Sequence, residues 1–126
     1  RIDEIYQDNY VDLVIRFHTK SEKGNIFYKI MNGEENFKTR KGYKIGIISI
    51  SSKESRIVIY AMPKGEYALA CFLDTDFDNN IDTKIFGIPK NYGFSRNNKG
   101  IFGAPPSYSN SKIELNIDTE IIVKIK

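Results

Sequence analysis

Tyr10-Val11-Asp12-Leu13-Val14-Ile15-Arg16-Phe17-His18 is the stretch that decides the fold class. Val11, Leu13, Ile15 and Phe17 fall on one side of an extended chain, and Asp12, Arg16 and His18 share the other. A helix would scatter those apolar residues around its circumference, so the period of two predicts a half-buried strand. Lys20-Ser21-Glu22-Lys23-Gly24 follows, polar and ending on Gly, as a hairpin connection does. Beyond it Ile26, Tyr28 and Ile30 alternate with Phe27, Lys29 and Met31. Further strands are expected at 43–50, 56–60, 67–73, 112–117 and 120–125, which makes seven. No window of a dozen residues sustains a 3.6 spacing, and β-branched and aromatic residues dominate the runs. The expected class is all-β, a seven-stranded sandwich of immunoglobulin-like or prealbumin-like type.

Composition limits what such a chain does. At 126 residues it is expected to form a single domain, 1–126, and 40% hydrophobic residues supply a core. No apolar run approaches the roughly 20 residues of a membrane-spanning helix. One Cys excludes an intrachain disulfide framework and a multi-Cys zinc site. Nineteen basic residues against sixteen acidic ones leave a net charge of +3, too mild and too mixed to name nucleic acid as partner. A chain starting at Arg1 is expected to be a processed one whose targeting segment has been removed.

One segment breaks the alternation. Residues 74–109 show no clear strand, yet hold three of the four Pro, four of the nine Gly and six of the sixteen Phe and Tyr. Unstructured loops longer than about 12–15 residues are uncommon in compact domains and are usually functional or disordered. Disordered linkers are poor in aromatics. The segment is therefore expected to be an ordered excursion that packs Phe77, Phe86, Tyr92, Phe94, Phe102 and Tyr108 against one end of the sandwich.

The excursion opens with Asp74-Thr75-Asp76-Phe77-Asp78-Asn79-Asn80-Ile81-Asp82. Carboxylates at loop positions 1, 3, 5 and 9, with a residue tolerant of left-handed backbone at position 6, form the front half of a calcium loop. A chain wound around a hard cation turns every second side chain inward, and Ca²⁺ takes six to eight oxygens at about 2.3–2.6 Å. Position 12 is Ile85, so the bidentate Glu of an EF-hand is missing, and the flanks do not read as helices. A shorter structural calcium site remains, with Asp74, Asp76, Asp78 and Asp82 as side-chain ligands and Asn80 offering its carbonyl. The competing explanation is that Asp and Asn gather here only because they favour turns.

These residues belong to a longer pattern. Pro63-Lys64-Gly65-Glu66-Tyr67-Ala68, the Asp run from Asp74, Gly87-Ile88-Pro89-Lys90, Tyr92-Gly93-Phe94-Ser95 and Phe102-Gly103-Ala104-Pro105 follow one another. In that order they resemble the bacterial DUF2141 family, whose pattern runs PPGxYA, HDxNxNGxxD, GxPxE, YGFSN and FGxPxF. The resemblance covers residues 63–110 closely. It implies an exported prealbumin-like β-sandwich, periplasmic or at the cell surface, made with a signal peptide. The chain departs from the pattern in places. Leu73 stands where the family has His, Asn79 where it has Gly, and Asn91 where it has Glu, while Asp76 and Asp78 replace Asn and make the loop more anionic.

Other candidates are weaker. His18, the single His, lies on the polar side of its strand, and Cys71 shares a face with Tyr67, Leu69 and Leu73, as a small core residue does. Lys38, Arg40, Lys41 and Lys44 read as a solvated connection. No catalytic constellation is evident, and the chain is not expected to be an enzyme. The expected function is an exported binding or structural module at the cell envelope. Its excursion, stiffened by Ca²⁺, presents Tyr92, Phe94, Phe102 and Tyr108 to a protein or small ligand. Two alternatives are a metal-dependent hydrolase using the Asp loop and a carrier of sugars or peptides using the aromatics as a stacking platform.

Overall fold

The computed structural model describes residues 9–75, 92–97 and 107–125. Tyr10–His18 forms β1, with the bounds that the alternation predicts. β2 is Gly24–Asn32, a short helix α1 is Gly33–Thr39, and β3 is Lys44–Ile50. β4 (Glu54–Pro63) and β5 (Gly65–Asp74) follow, then β6 (Tyr92–Phe94) and a single 3-10 turn at Ser95–Asn97. A four-residue helix α2 (Tyr108–Ser111), β7 (Ile113–Leu115) and β8 (Thr119–Lys124) complete the described chain.

The class is all-β, but the described residues carry eight strands where seven are expected. The additional strand, β6, lies inside the segment read as strandless. It has three residues with Gly at its centre, too short for alternation to register. α1 is also absent from the sequence reading, because seven residues cannot sustain a helical period over a dozen.

Two sheets form. One has the order β4-β1-β8; the other has the order β3-β2-β5-β6, and β7 pairs with β5 beyond the end of β6. The first sheet joins β1 to β4 antiparallel and to β8 parallel, so the two ends of the described chain run side by side. Its register slips between Val11 and Leu13. Ala61 takes a left-handed φ of 55° there, and its N–H donates to Asp12 Oδ1 at 3.0 Å, the local disruption of a β-bulge.

The facing sides of the sheets share one apolar cluster. Leu13, Ile15 and Phe17 from β1 and Val123 from β8 meet Ile26 and Ile30 from β2 and Tyr67, Leu69 and Leu73 from β5. Cys71 lies in this cluster. Its Sγ donates to Gly93 O at 3.4 Å, and burial pushes the thiol pKa far up, so it is an inert core side chain rather than a nucleophile. Among the described residues no helix is long and apolar enough to cross a membrane.

Candidate functional site

Asp74 closes β5, pairing with Asn25 of β2. It is buried, the one carboxylate so placed among the described residues. Its backbone runs so close to the start of β2 that a Cβ on Gly24 would lie 2.7 Å from Asp74 O, and Gly24 also holds φ at +134°. Only Gly fits there without displacing the strand end from which the Asp run departs. Asp76, Asp78, Asn80 and Asp82 lie outside the described residues, as does Phe102. Among the described residues no group of three or more His, Cys, Asp or Glu is gathered to hold a metal.

The described parts of the excursion are stitched to the sheet. β6 aligns Tyr92 with Phe72, Gly93 with Cys71 and Phe94 with Ala70. A Cβ on Gly93 would sit 2.9 Å from Lys124 O, so this Gly lets β6 pass against β8 of the other sheet. Next in the chain, Ser95 is fully buried. Its hydroxyl accepts the Leu69 N–H at 3.0 Å and donates to the carbonyl of Ser111, tying β5 to α2. Arg96, at a left-handed φ of 61°, reaches the Ser109 carbonyl with its guanidinium at 3.3 Å. Polar bonds from consecutive residues thus pin the two described parts together.

Phe94 and Tyr108 belong to a second apolar cluster with Met31, Phe37 and Ala68, on the outer side of the β3-β2-β5-β6 sheet. Phe37 from α1 meets the Phe94 ring at 6.3 Å and the Tyr108 ring at 5.6 Å. Phe94 packs inward, as expected of an aromatic that anchors the excursion, and Tyr108, expected at a partner surface, packs inward with it. Both are buried, because an excursion returning over a sheet needs apolar anchors to offset its ordering entropy. Tyr92 is half-buried and packs on the Phe94 ring at 5.8 Å.

Tyr92 also heads a lateral row across the outer side of the sheet. The registers align Tyr92 with Phe72, Phe72 with Phe27, and Phe27 with Ile47. Phe27 and Phe72 are stacked at 4.8 Å with ring planes 2° apart.

Three residues to which the sequence reading assigns no part in a site hold this region in place. Arg40 ends α1 in a left-handed conformation and lays its guanidinium 4.6 Å over the Phe37 ring, while its Nη1 donates to Phe37 O at 2.9 Å. Burial lowers its pKa. It is therefore a lid on the second cluster, whereas the sequence places it in a solvated connection. Glu66 accepts the Tyr108 hydroxyl at 3.0 Å and pairs with Lys112 at 3.4 Å. Ser95 is the third, and its position after Tyr92-Gly93-Phe94 is the one sequence signal that pointed to it.

Comparison with known families agrees with the motif pattern. A family model described as an uncharacterized protein conserved in bacteria, DUF2141, matches residues 17–122. That span runs from the end of β1 into β8 and holds every residue of the second cluster, while most of β1 precedes it. A search of curated proteins returns no match.

Proposed function

The chain belongs to the DUF2141 family, and from that premise we propose that it is an exported bacterial β-sandwich of immunoglobulin-like or prealbumin-like type. It serves as a binding or structural module in the periplasm or at the cell surface rather than as an enzyme. Asp74, Asp76, Asp78 and Asp82 hold Ca²⁺ through side-chain oxygens, with the Asn80 carbonyl completing the set. The partner, a protein or small ligand, is met on the side of Tyr92.

One observation carries this reading. Asp74 is buried at a strand end whose position Gly24 fixes, and the anionic run starts from it. A rigid first ligand removes part of the ordering cost of a cation loop, and a carboxylate out of water is stabilised by positive charge.

The test is a calcium titration. Without the bidentate Glu, affinity is expected near 10⁻⁵ to 10⁻³ M, roughly the range between sensor and extracellular sites. Ligand at a hundredfold excess over the dissociation constant adds about 2.7 kcal/mol of stability, and ligand equal to it about 0.4 kcal/mol. The melting temperature should rise with CaCl₂ and fall with EDTA, with Mg²⁺ less effective because it dehydrates reluctantly. Asp76→Ala should abolish the response while leaving the β-sheet circular dichroism intact. A folded protein giving neither heat nor a melting shift at millimolar Ca²⁺ would falsify the site.

A further inference from the structure

We propose that β3 is a self-association edge, through which two copies of this chain join their β3-β2-β5-β6 sheets about a two-fold axis. Among the described residues β3 has a strand partner on one side only, β2. Its outer-face side chains are Ile45 and Ile47, 66% and 58% exposed, with Ser49 beyond them.

Edges that stay unpaired usually carry a deterrent: charges, Pro or a bulge. The other sheet has them. β4 carries Glu54, Arg56, the Ala61 bulge and a terminal Pro63, and β8 carries Glu120 and Lys124. β3 has a single charge, Lys44, at its first residue, with no Pro and no bulge.

The occupant follows from symmetry and register. A two-fold axis perpendicular to the sheet makes the pairing antiparallel and places each residue opposite one on the same face. Centring the axis on Gly46 sets Ile45 of one copy opposite Ile47 of the other, twice, so all four exposed isoleucines enter direct cross-strand pairs. Lys44 then faces Ile48 of the second copy. The two Lys44 side chains stand four residues apart along the ladder, roughly 13 Å, beyond the Debye length of about 8 Å at physiological salt. Like charge therefore does not oppose this register. The row Phe72–Phe27–Ile47 meets Ile45 of the second copy, which continues the apolar surface across the junction.

Edge pairing of two seven-residue strands buries less than the roughly 800 Å² per partner of a standard interface. The association is accordingly reversible and concentration-dependent. Sedimentation velocity of the whole chain from micromolar to millimolar concentration should show the average mass rising from one chain toward two. Ile47→Lys, on an exposed position that leaves the fold intact by circular dichroism, should weaken the dimer by roughly tenfold or more.

Register is read by disulfide trapping, since paired strands bring Cα atoms within disulfide range and the native Cys71 is buried. A mixture of Ile45→Cys and Ile47→Cys chains should close a heterodisulfide more readily than either variant alone closes its own. A mass that stays at one chain throughout overturns the proposal and leaves the edge to a strand of another protein. A dimer that survives Ile47→Lys overturns it as well, and preferential closure of Ile47→Cys with itself overturns the register.

Discussion

The molecule has two apolar clusters, and they are built on different logic. The larger fills the space between the sheets with side chains from the inner faces of β1, β2, β3, β4, β5, β7 and β8, together with Ile125 just past β8. The smaller lies on the outer side of one sheet, where α1, β6 and α2 bring Phe37, Phe94 and Tyr108 onto Met31 and Ala68. The first is closed by strand alternation alone. The second exists only because irregular connections fold back over a sheet, so its order depends on caps, polar bonds and a cation over a ring.

The strongest way to break the contrast is to truncate a buried aromatic side chain in each. Phe17→Ala, in the large cluster, should cost about 3–5 kcal/mol and lower the urea midpoint of the whole protein. Phe94→Ala should cost less, about 2–3 kcal/mol, near the transfer term for one Phe. Its signature should be local. Hydrogen exchange should accelerate in β6 and α2 while β1 and β2 keep their protection. Equal costs with global loss of protection would mean that the clusters form one cooperative unit and that the distinction drawn here fails.

The same contrast explains what the sequence made legible. β1 was readable to the residue because Val11, Leu13, Ile15 and Phe17 face one core and water wets the other side. β5 was placed correctly but not its role, since Ala68 and Ala70 face the second cluster while Tyr67, Leu69 and Cys71 face the first. A strand covered on both sides loses its alternation. β6 and α1 were too short for any period to show, and the parallel pairing of β1 with β8 joins residues about a hundred positions apart, which no local signal encodes. Of the excursion's aromatics, Tyr92, Phe94 and Tyr108 fall among the described residues and pack on the sheet as expected, but which of them turns inward depends on α1, which is too short for the sequence to show. Of the proposed calcium ligands only Asp74 falls among the described residues, and its burial depends on a close approach to Gly24 that periodicity cannot reveal.

A finer test separates the two contributions of Arg40. Its left-handed φ of 60° costs a non-Gly residue about 1 kcal/mol, which Gly would recover. Its guanidinium over Phe37 contributes a similar amount, about 0.5–1 kcal/mol for a partly exposed cation on a ring. Arg40→Ala keeps the strain and loses the cation, so it should destabilise by about 1 kcal/mol. Arg40→Gly removes both, and thermal melts should place it near the parent. A Gly variant as unstable as the Ala variant would show that the backbone strain is immaterial and that the side chain alone matters.

The smallest effect at neutral pH, and the most specific to the second cluster, is the titration of Tyr108. Burial, then its hydrogen bond to Glu66 and the nearby charge of Glu66, push its pKa up to about 12 from an ordinary value of 10.0. The linkage has one sign. Below the unfolded value the phenol is protonated in both states and its contribution to stability is complete. Between the two values the unfolded chain loses the proton while the folded one keeps it, so stability falls as pH rises through that window and the loss levels off above the folded value. Exchange protection in α2 should therefore decline in alkali before that of β1. Glu66→Gln removes the charge but leaves the burial, so it should lower the Tyr108 titration only part of the way toward its ordinary value. Difference absorbance of tyrosinate, with Tyr108→Phe to identify the late-titrating group, reads this directly. A late titration unmoved by Glu66→Gln would mean that burial alone holds the proton and that the contact between β5 and α2 is not electrostatic.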